Sequence, residues 1–152
     1  MKISNLLDTQ TIFTDFDADS KESLISTLVT ALEDKVGKDK LDDIKQAVLE
    51  REKVMSTGVG KSLAIPHAKI AGLQENYAVF AKLKSPIDYG SIDGQPVEII
   101  FLLVGGQEKA SIHIKLLSRI SRIMNNDVYR SQLLQAESAE DVIEVFVEEE
   151  GG

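Results

Sequence analysis

Val97-Glu-Ile-Ile-Phe-Leu-Leu-Val104 is the stretch on which the fold turns. A strand with one solvated face alternates apolar and polar residues, whereas a nearly continuous apolar run belongs to a strand covered on both faces. Tyr77 to Leu83, rich in Val, Phe, Leu and Tyr, reads as a second strand. Between them SPIDYGSIDGQP carries prolines, glycines and the Asp93-Gly94 pair of a tight turn. Gly105-Gly106 is expected to break the run after Val104.

The flanks read as helices. Ser20 is placed to cap a helix in which Leu24, Ile25, Leu28, Val29 and Leu32 recur at helical spacing, reaching about Val36-Gly37. A second helix is expected from about Asp39 to Glu52, with Leu41, Ile44 and Val48 as its apolar stripe. Downstream, Ile112, Leu116, Ile120 and Ile123 predict a helix from about Ala110 to Met124, followed by a shorter one from Asp127. Ser138-Ala-Glu-Asp141 resembles a capping box that opens a last helix through Val142, Val145 and Phe146. Strands mixed with helices of these lengths predict a single α/β domain over residues 1–152. Its central mixed β-sheet would be flanked by helices on both faces, with residues 148–152 frayed.

Composition removes several function classes. A chain of 152 residues suffices for one core, and 43% hydrophobic with 28% charged residues is ordinary for a globular protein. With no cysteine there is no disulfide framework, thiolate metal site or thiol nucleophile. No run approaches the roughly 20 apolar residues of a membrane span, and the opening MKISNLLDTQ lacks a signal-type apolar segment, so a cytoplasmic chain is expected. Seventeen Lys and Arg against twenty-five Asp and Glu give a net charge of −8, which disfavours nucleic acid and anionic membrane and suits a basic protein partner.

Gly60-Lys61-Ser62 mimics the tail of a nucleotide-binding P-loop, but the first glycine of that pattern falls on Met55, and Pro66 prevents a long helix after Ser62. The glycines leave two readings open. One is a flexible connection from helix to strand. In the other, Gly58 and Gly60 bring backbone N–H groups near an anion, with hydroxyls from Ser56 and Thr57. The chain has two histidines. His67 follows Pro66 where the chain leaves a short strand. His113 precedes Leu116, Leu117 and Ile120 by three, four and seven residues, which turns it inward on its helix. Two histidines fall short of the three protein ligands of a catalytic zinc site, so neither metal nor cofactor is expected.

Leu49-Glu-Arg51-Glu52, Ser56-Thr-Gly-Val-Gly60 and Ala64-Ile-Pro-His67 together resemble the signature of the fructose- and mannitol-type enzyme IIA domains of the bacterial phosphotransferase system, a family that includes the nitrogen-regulatory IIA proteins. Pro86-Ile-Asp-Tyr-Gly90, Asp93-Gly-Gln-Pro-Val97, Ile100-Phe-Leu-Leu103 and the block from His113 to Arg122 match later parts of the family in order, so the resemblance runs from about Ile3 to Val147. It implies that His67 is the phosphorylated nucleophile and that His113 and Arg51 stabilise the phosphoryl group, with the Ser56, Thr57, Gly58 and Gly60 loop as a cradle. The implied partners are a phosphorylated HPr-like carrier as donor, and downstream a IIB domain in sugar uptake or regulated target proteins. The sequence departs from the pattern at Gly105-Gly106, where a small residue and a proline are expected. A scaffold that has lost the site is the third class, which the retained His67, His113 and Arg51 oppose.

Overall fold

The computed structural model describes residues 2–151. After a 3₁₀ turn at Ile3–Leu6 the order is β1 (Ile12–Phe16), α1 (Lys21–Thr30), α2 (Glu33–Val36), α3 (Lys38–Val54), β2 (Gly58–Gly60), β3 (Leu63–Ala64), β4 (His67–Ile70), β5 (Tyr77–Ile87) and β6 (Val97–Gly106). Helices α4 (Ala110–Asn125), α5 (Asp127–Gln135) and α6 (Ala139–Glu149) follow. None of them is long and apolar enough to cross a membrane.

The strands form one mixed sheet in the order β1-β5-β6-β3-β2, with β4 also on β6. Strand β5 is antiparallel to β6, while β3 and β4 run parallel to β6 one after the other along its length. The apolar run in β6 is explained by what covers it. Ile100, Leu102 and Val104 pack with Leu24, Leu28, Ile44 and Val48 of α1 and α3. Ile99, Phe101 and Leu103 pack with Leu116, Ile120, Val142 and Phe146 of α4 and α6. Alternate side chains thus enter two separate cores, as a period of two requires.

Caps stand where the sequence places them. Ser20 Oγ accepts the Ser23 N–H at 3.1 Å, and Ser138 Oγ accepts the Asp141 N–H at 3.1 Å.

Four local expectations need correction. The first helix is not continuous to Gly37: α1 stops at Thr30 and the chain turns at Ala31-Leu32 before the single turn of α2. There the Leu32 N–H bonds back three residues to the Val29 carbonyl, which lets the fully buried Leu32 enter the core.

The glycines at 105 and 106 do not break β6. They pair with Lys69 and Ile70 of β4. They are glycines because another segment crosses them closely: a β-carbon on Gly105 would overlap Asn76 Oδ1, and one on Gly106 would overlap the Leu73 carbonyl oxygen.

His67 does not close a strand either. It opens β4, just after the Pro66 carbonyl accepts the Leu103 N–H at 3.0 Å.

The tail is anchored where fraying is expected. Helix α6 reaches Glu149, and the Glu150 carboxylate accepts the N–H groups of Ile3 at 2.7 Å and Ser4 at 2.9 Å, capping the first turn of the chain; Gly152 lies outside the described residues. Strand β1 has a β-branched and aromatic signal in Ile12-Phe13-Thr14-Asp15-Phe16 that the sequence reading leaves unused.

Candidate functional site

Helix α3 ends beside β4, and across from them the first turns of α4 close a cleft of roughly 770 Å³. Arg51, His67, Lys69, Gln107, His113 and Leu117 are among its lining residues. Ala68 and Ile70 of β4 point into the core, so His67 and Lys69, two residues apart, share the opposite face.

His67 is half-buried, and its Nδ1 lies 2.7 Å from the Ile65 carbonyl oxygen. A carbonyl only accepts, so Nδ1 carries the ring proton and Nε2 keeps its lone pair. Burial is the main cause that lowers the His67 pKa below its ordinary value; the Ile65 bond opposes the shift, and the positive charges of Arg51 and Lys69 add to it. The ring is therefore neutral at pH 7, with Nε2 as its free nitrogen.

Arg51 stands in the last turn of α3, where its Nη1 donates to the Met55 carbonyl at 3.0 Å. One N–H is spent on its own helix end, and the rest of the guanidinium fork remains to be given. His113 is only 2% exposed, and its ring centroid lies 6.0 Å from that of His67 at an interplanar angle of 49°. Burial first, and then the neighbouring His67 and Lys69, push its pKa down to about 4.

The structure thus brings Arg51, His67 and His113 into one cleft and does not bring the proposed cradle with them. None of Ser56, Thr57, Gly58 and Gly60 lines it. Their polar groups are spent locally. Thr57 gives its N–H to Glu52 Oε2 at 3.2 Å and its hydroxyl to Glu52 Oε1, and the Gly58 N–H goes to Ser56 Oγ at 3.1 Å. Gly60, Lys61 and Ser62 all have positive φ and make the hairpin turn between β2 and β3, a conformation unlike that of a P-loop.

Two features of the neighbourhood escaped the sequence reading. Lys69 was findable, because a strand beginning at His67 puts residue 69 on the same face. The other is the buried Glu52, one residue after Arg51. It accepts from Lys21 Nζ at 3.1 Å and the Tyr89 hydroxyl at 2.8 Å as well as from Thr57, and so ties the end of α3 to α1 and to the loops at 55–58 and 88–96.

The family described as phosphoenolpyruvate-dependent sugar phosphotransferase system, EIIA 2, matches residues 5–149. The chain belongs to this family. Among similar proteins, the fructose-specific EIIABC component of Bacillus subtilis (strain 168) is 39% identical over 149 residues, which cover 96% of this chain and 23% of that protein. The chain therefore spans under a quarter of that relative's length. A nitrogen regulatory protein of Bradyrhizobium diazoefficiens is 31% identical over 146 residues, covering 96% of this chain and 95% of the relative. The crystal structure of nitrogen regulatory protein IIA-Ntr from Neisseria meningitidis superposes with a TM-score of 0.89 at 28% identity, covering 95% of this chain and 98% of that one. This EIIA domain is accordingly a phosphoryl-transfer component of the phosphotransferase system with the single-domain α/β fold of IIA-Ntr.

The burial of His113 in the EIIA domain has a consequence for stability. The unfolded chain takes up a proton on this residue near pH 6.5 and the folded protein not until about pH 4, so stability falls as pH drops through that interval. Relative to a His113→Asn variant, the wild type is expected to lose up to about 3 kcal/mol between pH 7 and pH 4. Urea unfolding at a series of fixed pH values measures the gap; a gap that does not change with pH would show that the folded-state pKa is not depressed.

Proposed function

We propose that the EIIA domain accepts a phosphoryl group on Nε2 of His67 from a phosphorylated HPr-like carrier protein and holds it between His113 and Arg51. The observation that carries this reading is the 2.7 Å contact of His67 Nδ1 with the Ile65 carbonyl, which leaves Nε2 unprotonated in a cleft that also holds a second imidazole and two cations. In the transfer, the Nε2 lone pair forms the new bond to phosphorus as the donor's nitrogen–phosphorus bond breaks, its electron pair returning to the donor imidazole. No base is needed, because Nε2 carries no proton to remove. Charge spread over the equatorial oxygens is met by position and electrostatics alone. Arg51 reaches two oxygens with its planar fork, Lys69 adds a point charge, and His113 donates a hydrogen bond. The acidic net charge of −8 complements a basic carrier.

Downstream, the reading we favour is regulatory: the phosphorylation state of His67 controls binding to target proteins. The likeness to IIA-Ntr over nearly the whole domain supports it. The 39% identity to the fructose-specific relative favours a second reading, in which the phosphoryl group passes to a IIB domain in sugar uptake.

Incubation with a phosphorylated HPr-type carrier tests the acceptor step, read as acid-labile, base-stable phosphate on the wild type; no such phosphate would refute it. Adding a fructose-type IIB domain then separates the outputs, since rapid loss of label to IIB belongs to transport. In the same assay His113→Ala is expected to label about a hundredfold more slowly while still reaching partial labelling, because His113 stabilises charge and forms no bond to phosphorus. Full-speed labelling would make His113 an ordinary core histidine. Arg51→Lys is expected to slow transfer roughly tenfold or more, since an ammonium cannot reproduce bidentate contacts.

A further inference from the structure

His113 is not the only buried polar group without a partner at this end of the sheet. Asn76, just before β5, is 4% exposed, and among the described residues neither of its amide atoms has a hydrogen-bond partner, nor has either ring nitrogen of His113. The two side chains converge on one point. A β-carbon on Gly105 would overlap Asn76 Oδ1 and would lie 3.2 Å from His113 Nδ1. Buried polar groups are almost always paired, and here two unpaired ones border the same position on a residue with no side chain. This is a reason for glycine at the point where the chain departs from its family pattern, because any larger residue would push them apart.

In the structure Asn76 has its Oδ1 toward the position beside Gly105, so a bond to His113 with the amide as donor requires the amide turned over. An asparagine amide presents its N–H₂ or its oxygen to the same neighbour by a half-turn of its terminal torsion. A neutral imidazole has one proton to place on either nitrogen. With Nδ1 turned toward Gly105, Nε2 is the nitrogen left for the group on His67. A bare lone pair there would repel phosphoryl oxygens, whereas an N–H would bind them.

We propose that Asn76 is a positioning residue for the phosphoryl site: its amide donates to Nδ1 of His113 and so holds the ring proton on Nε2. That the Nε2–H then meets phosphoryl oxygens rests on the phosphocarrier reading; the tautomer itself does not.

Long-range ¹⁵N–¹H NMR of the histidine rings at pH 7, on the unphosphorylated protein, reads the tautomer without any donor. The wild type is expected to show His113 as the Nε2–H form by at least ten to one. Asn76→Asp replaces a donor with an acceptor and is expected to move the proton to Nδ1, while the His67 Nδ1–H pattern is unchanged. Asn76→Leu, which neither donates nor accepts, is expected to give a mixture. In the labelling assay Asn76→Asp should slow transfer at least tenfold with the endpoint retained. A wild-type His113 in the Nδ1–H form overturns the proposal whether or not the variants fold, and so does a tautomer that Asn76→Asp leaves unmoved. If the tautomers behave as stated and the wild type takes no label from the carrier, the phosphocarrier reading fails and the Asn76–His113 pairing stands.

Discussion

His67→Ala is expected to reduce labelling by a phosphorylated carrier to background, a loss of at least about 10³-fold, because it removes the atom that forms the bond to phosphorus. The half-buried ring makes one hydrogen bond, to the Ile65 carbonyl, so the fold is expected to survive the change. His67→Gln provides a check on that point, since its amide can still donate near the same carbonyl while offering no nucleophile. The second histidine does not offer a substitute acceptor. At 2% exposure, with Nδ1 close beside Gly105, His113 presents no open approach for a phosphorus atom flanked by a donor protein. Acid-labile, base-stable phosphate measured on wild type and both variants decides the matter. Undiminished label on His67→Ala would place the acceptor elsewhere and remove the central reading.

The second large effect is on stability. Glu52 lies buried, and its two oxygens accept from Lys21 Nζ, the Tyr89 hydroxyl, and the N–H and hydroxyl of Thr57. Burial and the carboxylate of Glu52 hold the Tyr89 hydroxyl protonated well beyond its ordinary range, so it remains a donor at any physiological pH. Truncation in Glu52→Ala strands these groups in the interior and leaves the Lys21 ammonium, which also lies 4.4 Å from the centroid of the Tyr89 ring, without its ion-pair partner. Removing the buried carboxylate from this partly exposed pair while stranding the Thr57 and Tyr89 hydroxyls costs about 3–5 kcal/mol, a large fraction of the stability of a domain this size. Urea unfolding at pH 7 measures it. Glu52→Gln keeps the shape and one of the two acceptor oxygens, which can still take the Thr57 and Tyr89 hydroxyls, and is expected to lose less; equal losses for the two variants would mean that the charge, and not the hydrogen-bond geometry, holds the network. Since Glu52 follows Arg51, the same substitution is expected to loosen the α3 end from which Arg51 serves the cleft.

Much of this was legible because it depends on local periodicity. The run from Val97 to Val104 has no polar face to turn outward, so layers on both sides of the sheet follow from its side chains alone. The inward face of α4 follows from the spacing of His113, Leu116 and Ile120, and the caps at Ser20 and Ser138 follow from hydroxyls placed three residues before the N–H groups they satisfy. The pairing of His67 with Arg51 and His113 came from ordered blocks of resemblance, which sequence can carry because the spacing of those blocks is itself sequence.

What tertiary structure alone decided concerns groups whose partners come from distant segments. Glycines usually punctuate strands, yet at 105 and 106 they extend one, and the reason is the 73–76 crossing that no neighbouring residue announces. Thr57 reads as a free hydroxyl beside an anion until Glu52 and Tyr89 are seen to claim it. The residue type at position 67 is an imidazole, and an imidazole has two nitrogens. Which one is free is settled by the Ile65 carbonyl, placed only by the path of the chain into β4, because the proton goes to the nitrogen that faces an acceptor.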